Sequence, residues 1–323
     1  MVETPKNSRQ IVVLAGGIGG GRFLRGLLSA LRVDGVDADV TVIGNTGDDI
    51  TLFGLRVCPD LDTVMYTLGN GIHEEQGWGR ADETFGVKDE LLAYGAQPQW
   101  FGLGDRDLAT HLMRTQWLAS GITLSEVTRR LCERWQPGVR LLPMSDDVVE
   151  THVVLDDRTV HFQEWWVRLH AAVPALRIDA VGASAAHPAP GVLEAIAAAD
   201  VIVLPPSNPV VSIGTILQVP GIRAALVAAA APVVGVSPLI NGAPVRGMAD
   251  ACLAAIGVAT TARAVAAHYG PELLQGWLVD DADAASTVGQ LDGIVVRAMP
   301  LMMTDLDATA AIARGALALA DEL

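Results

Sequence analysis

Lysine is almost absent from this chain of 323 residues: only Lys6 and Lys88 of its 22 basic residues are lysine, and the rest are arginine. With 37 acidic residues the net charge is −15. A broad nucleic-acid-binding face is excluded, because such faces need clustered positive charge. Cysteine is equally sparse. Cys58, Cys132 and Cys252 stand apart with no CxxC spacing, so neither a disulfide framework nor a thiolate zinc site is indicated, and a reducing cytoplasm fits. Long apolar runs are missing. Ala224–Val236 is broken by Pro232, and no stretch reads as a membrane span. Residues 1–10 are polar and lack the apolar centre of a secretion signal. There is no G-x-S-x-G elbow. Neither repeats nor low-complexity linkers are visible, so a single domain over 1–323 is expected.

Half of the residues are apolar, enough for a large core. Ile11–Leu14 is a β-branched run that ends at a glycine cluster, and Arg22–Leu31 carries Phe23, Leu24, Leu27, Leu28 and Leu31 on one helical face. Val40–Ile43 reads as a second strand and Leu61–Leu68 as a second helix. This alternation predicts an α/β fold, a Rossmann-like parallel sheet flanked by helices. Residues from about 70 to 170 are richer in tryptophan, glutamine and charge, and read as a mostly helical insertion or lid. Val201–Leu204 and Pro232–Val236 return to buried strands.

Four carboxylates fall within fifteen residues: Asp48 and Asp49 after Asn45, then Asp60 and Asp62 before Thr63. In a parallel sheet, loops at the C-terminal strand ends carry the ligand site. A dinucleotide fold places one acid there for a ribose, and Asn45 stands in that position instead. Asp48 or Asp49 together with Asp60 or Asp62 can hold one Mg²⁺ through two carboxylates and substrate phosphate oxygens, or take a proton from an attacking hydroxyl. Helix capping is the competing role for one or two of the four. Gly16-Gly17-Ile18-Gly19-Gly20-Gly21-Arg22 lies between the first strand and helix, where backbone N–H groups and the helix dipole favour an anion. Its spacing fits neither nucleotide fingerprint, since Arg22 falls where each needs another residue. Ser207, Asn208 and Ser212, after the strand Val201–Leu204, are neutral groups suited to a nucleotide or polar ring. Asp105, Arg106 and Asp107 read as an ion-pair hub around Arg106 or as a phosphate contact, and His111 as a helix-face residue.

Taken together, these segments resemble the 2-phospho-lactate transferase family, which builds the deazaflavin coenzyme F-420. The motifs are 16–22, Asn-Thr-Gly-Asp-Asp (45–49), Cys-Pro-Asp-Leu-Asp-Thr (58–63), Leu-Gly-Asp-Arg-Asp-Leu-Ala-Thr-His (103–111), Leu-Pro-Met-Ser-Asp-Asp (142–147), His-Phe-Gln-Glu-Trp-Trp-Val-Arg (161–168) and Pro-Ser-Asn-Pro-Val-Val-Ser-Ile-Gly (206–214). The resemblance implies a Mg²⁺-dependent enzyme whose substrates are the deazaflavin Fo and a guanosine-diphosphate-linked donor. Fo's ribityl hydroxyl attacks the phosphorus next to an enolpyruvyl or lactyl group, and GMP leaves. It further implies that Asp48 and Asp62 hold Mg²⁺ or orient the hydroxyl, supported by Asp49 and Asp60. Gly17, Gly19, Gly20 and Arg22 would cradle donor phosphates. Asn45, Thr63, Asp105, Arg106, Ser207, Asn208 and Ser212 would complete the substrate site. A homodimer and a cytoplasmic location are expected with it, and neither nucleic-acid nor membrane partners. Some relatives carry a lysine where this chain has Gly102, and Lys88 is no obvious substitute by sequence. A nucleotide-binding regulatory protein of the same fold is the alternative.

Overall fold

The computed structural model describes residues 8–323. β1 (Arg9–Ala15) runs through Gly16 and Gly17 into α1 (Ile18–Val33) and returns as β2 (Ala38–Gly44). A small antiparallel hairpin, β3 (Ile50–Leu52) and β4 (Leu55–Val57), leads to α2 (Pro59–Leu68). Then come α3 (Gly86–Ala93), α4 (Asp105–Ala119), α5 (Leu124–Trp135) and β5 (Arg140–Pro143). β6 (Glu150–Val154), β7 (Thr159–His161) and β8 (Arg177–Val181) form a separate antiparallel sheet. The chain continues through α6 (Val192–Ala198), β9 (Val201–Leu204), α7 (Ile213–Gln218), α8 (Ile222–Ala228) and β10 (Val233–Val236). A two-residue-strand hairpin, β11 (Leu239–Ile240) and β12 (Ala243–Pro244), precedes α9 (Ala249–Ala255) and α10 (Ala262–Tyr269). β13 (Gly276–Val279), α11 (Ala284–Thr287), β14 (Val295–Ala298) and α12 (Leu306–Ala320) close the fold.

Seven strands make one sheet in the order β14-β13-β10-β9-β1-β2-β5, and every pairing is parallel. The expected Rossmann-like architecture is therefore present. Both faces of the sheet are covered, which is why its strands are continuous apolar runs rather than alternating ones. Val12, Leu14 and Ile43 point to one core, with Ile213, Ile216 and Trp277. Ile11, Val13 and Val42 point to the other, against Phe23, Leu24 and Leu27 of α1 and Ile312 and Ala316 of α12.

The stretch 70–170 divides in three. Helices α3 to α5 come first. β5 then belongs to the main sheet, with Leu141 and Leu142 paired to Val42 and Ile43. β6 and β7 follow, outside that sheet. The direction in which successive strands are added to the sheet reverses between β1 and β9, so the loops after these two parallel strands diverge and leave a crevice at their C-terminal ends. The hydroxyl of Ser207 spans this point and accepts a hydrogen bond from the Gly16 N–H at 3.2 Å.

Candidate active site

The crevice is a cavity of about 540 Å³, within the usual size of a small-molecule site. Gly17, Gly19, Arg22, Asp48, Asp60, Thr63, Ser207, Asn208 and Ser212 all line it. Segments from along the whole chain supply its other walls, with Trp78, Trp100 and Phe101 from the helical region, Phe162, Gln163 and Trp166 from after β7, Arg246 and Met248 from after β12, and Leu301 to Met303.

Asn45 organises the acidic floor. Its position at the end of β2 is fixed by its N–H, which donates to the Ala15 carbonyl at 3.0 Å. Its side-chain carbonyl accepts from Gly47 N–H at 2.9 Å, closing a tight turn. That turn aims the Nδ2 group at Asp48 Oδ1 (3.2 Å), Asp60 Oδ2 (2.9 Å) and the Val211 carbonyl (3.2 Å). An acid at position 45 would add a third negative charge; the amide instead joins the Asp48 carboxylate after β2 and the Asp60 carboxylate of α2 to the loop after β9. Burial first, then the Asp60 charge, pushes the Asp48 carboxyl well above the usual range. Burial raises Asp60 to about 6, although Asn45 and the Gly17 N–H pull it down. A pair of buried carboxylates with one shared amide donor is under-compensated, and a divalent cation with phosphate oxygens supplies the missing positive charge. The residues present therefore fit a Mg²⁺ ion at Asp48 and Asp60.

Glycine permits this closeness. A Cβ on Gly17 would stand 2.6 Å from Asp60 Oδ1, and one on Gly19 would stand 2.2 Å from the Pro206 carbonyl. Gly20 packs instead against Ala15 and is a spacing residue. Asn208 accepts from the N–H groups of Val210 and Val211 at 2.9 and 3.2 Å and lines the cavity. Ser212 stands at the N-cap of α7 but makes no cap bond.

The other two acids lie elsewhere. Asp62 faces away from the cavity into a buried network: it accepts from Arg114 Nη2, and its Oδ2 is 3.7 Å from His111 Nδ1. His111 Nε2 lies 3.2 Å from Asp107 Oδ2, and Tyr66 donates to Asp107 at 2.6 Å. Asp49 is sealed under the floor with Arg56 at 3.6 Å, and burial lifts it to about 7 against the pull of that guanidinium. Neither Asp60 nor Asp62 caps α2, whose N-cap is Cys58 without a side-chain bond. His111 is fully buried rather than on an open helix face. Asp105 is outside the cavity, accepting from Thr84 Oγ1 at 2.6 Å and from Gly86 N–H and Val87 N–H at 2.9 Å each at the start of α3. Arg106 is exposed, and its carbonyl accepts from Arg80; the ionic hub of this segment is Arg114, paired with Asp62. Lys88 does reach the position left open at Gly102: a Cβ there would stand 3.4 Å from Lys88 Nζ. Helical connection lengths hide that proximity from the sequence.

A family model described as 2-phospho-L-lactate transferase CofD matches residues 11–299. The chain belongs to the CofD family. It is 68% identical over 319 residues to a Kitasatospora aureofaciens protein called phosphoenolpyruvate transferase, covering 97% of this chain and 98% of that one. A protein of the same name from Mycobacterium sp. (strain JLS) is 55% identical over 330 residues, covering 96% and 98%. The crystal structure of a Bacillus halodurans protein has a similar fold, with a TM-score of 0.62, 20% identity, and coverage of 96% of this chain and 100% of that one. No helix among the described residues is long and apolar enough to cross a membrane.

Proposed function

We propose that this chain transfers a phosphoenolpyruvyl group from an enolpyruvyl-diphospho-guanosine donor to the ribityl hydroxyl of Fo, releasing GMP. The observation that carries this reading is the Asp48–Asn45–Asp60 unit at the floor of a cavity that is also lined by the glycine loop and by Trp78, Trp100 and Trp166. The enolpyruvyl donor, rather than the lactyl one, is supported by the name of the near-full-length relatives.

Asp48 and Asp60 would hold Mg²⁺, with Asp60 in the role expected of Asp62. When bound, that ion neutralises charge on the transferring phosphate. Gly17 and Gly19 offer backbone to the donor phosphates. Trp78, Trp100 and Trp166 supply flat apolar surface to the deazaflavin ring, with Lys88 near its edge. The ribityl oxygen forms its bond to phosphorus as the bond to the GMP oxygen breaks. The hydroxyl proton passes to a carboxylate oxygen of the Asp48–Asp60 pair, and GMP departs as the anion. Positioning does most of the work, as in other phosphoryl transfers. A cytoplasmic homodimer belongs to the same proposal; the three unpaired cysteines support the location, and the mass in solution tests the dimer.

The test is mass spectrometry after incubation with Fo, Mg²⁺ and each donor in turn. Dehydro-F-420-0 and GMP are expected from the enolpyruvyl donor. Absence of both, in protein that binds GDP, would reject turnover in favour of a nucleotide-binding regulator.

A further inference from the structure

Arg246 has no part in the chemistry above, yet it lines the same cavity as Arg22. It lies between β12 and α9. Its Nη2 donates to the carbonyls of Glu75, at 3.3 Å, and Gln76. Arg22, in the second turn of α1, donates to the neighbouring carbonyl of Glu74 at 3.4 Å. Three successive carbonyls of one turn thus hold two guanidiniums at the cavity wall. Neither has a carboxylate partner among the described residues; Glu74 itself pairs with Arg25 at 2.9 Å. Acids outnumber bases 37 to 22 here, so two neighbouring arginines with only carbonyls for company are not short of acids for want of supply. Burial, and then the Arg22 charge, hold Arg246 below the usual arginine range. Each fork has five N–H donors, most of them unused by these contacts. An oxyanion between the two would relieve their repulsion and take up those donors.

We propose that Arg22 and Arg246 form a seat for an anionic group of the donor substrate, separate from the Asp48–Asp60 pair. The inference rests on the transferase reading. The donor carries two phosphates and a carboxylate, and one phosphate is engaged at the acidic floor. The seat takes one of the others, both being oxyanions that a guanidinium fork accepts.

Arg246→Gln tests it, since an amide keeps a donor for the Glu75 and Gln76 carbonyls while removing the charge. The donor KM is expected to rise about tenfold or more, as one charge-assisted contact supplies, with kcat and the KM for Fo within about twofold. Arg246→Lys should recover only part of the loss, because the fork is gone. GMP, GDP and phosphoenolpyruvate are then titrated, at fixed Mg²⁺ and ionic strength, against wild type and Arg246→Gln. These titrations need no turnover, so the seat is tested even if Fo proves not to be the acceptor. A loss confined to phosphoenolpyruvate assigns the seat to the carboxylate, and a loss for GMP or GDP assigns it to phosphate. Unchanged affinity for all three probes overturns the proposal, as does a tenfold loss that Arg246→Lys fails to reduce and that a lowered unfolding temperature accompanies.

Discussion

At the scale of single residues, the site is a compromise between charge and burial. Asp48 and Asp60 repel each other under cover, so Asp60→Asn or Asp48→Asn should raise the unfolding temperature of the metal-free protein while lowering transfer by two or more orders of magnitude; thermal melts and product assays read both. Asn45→Ala removes their common donor and should cost about 10- to 100-fold in Mg²⁺ affinity or rate, the usual effect of a supporting contact. The pH dependence has a definite sign. Asp60 stands at about 6 in the fold and near 3.9 when unfolded, so the native state binds the extra proton. Its stabilising contribution is complete below about pH 4 and is lost as pH rises through about 6. The melting-temperature gap between Asp60→Asn and wild type should therefore widen from pH 5 to 7.5 without metal. Protons and Mg²⁺ compete for the same oxygens, so Mg²⁺ affinity should weaken as pH falls through about 6. The sequence showed that four acids cluster. It did not show which face of α2 each occupies: Asp60 and Asp62 are two positions apart, about 200° on a helix, so the cavity takes one and the Arg114 network the other.

At the scale of elements, α2 is held from both sides. Its first turn presents Asp60 and Thr63 to the cavity, while Asp62 ties it to Arg114 of α4. Arg114→Met leaves a buried carboxylate without its partner and should lower unfolding free energy by about 3–5 kcal/mol. The double variant Arg114→Met with Asp62→Leu should recover most of that loss in denaturant titrations, since a packed apolar pair is often as stable as a buried ion pair. This tie was illegible beforehand. Arg114 sits in a helix whose spacing to α2 depends on the intervening residues 69–104, and no local pattern encodes that distance. Asp105 misled for a related reason: an acid between glycine and arginine resembles a ligand, yet its oxygens are used by the N–H groups that open α3.

At the scale of the whole molecule, the parallel sheet was readable where strands are buried and rich in β-branched residues, as in β1, β2, β9 and β10. The last two strands were not. β13, Gly276–Val279, is as short and as buried as β9 and β10 but has a single β-branched residue, Val279, and β14 carries Arg297 and sits half-covered at the sheet margin, so neither shows the β-branched buried run of the central strands. β5 lies inside the stretch read as a helical insertion, because its membership of the sheet rests on pairing with β2 and not on its own residues. Ligand binding should be felt by the entire fold: GDP with Mg²⁺ at about 100 times its Kd should add ~2.7 kcal/mol to the unfolding free energy, and a scanning calorimeter should show one transition moving upward as a whole. The walls of the cavity run from Gly17 to Met303 along the chain. A polypeptide still emerging from the ribosome therefore has its glycine loop and its acids long before it has a place to bind, and early exposure of Asp48 and Asp60 to metal or nucleotide can produce no chemistry until the last wall has been translated.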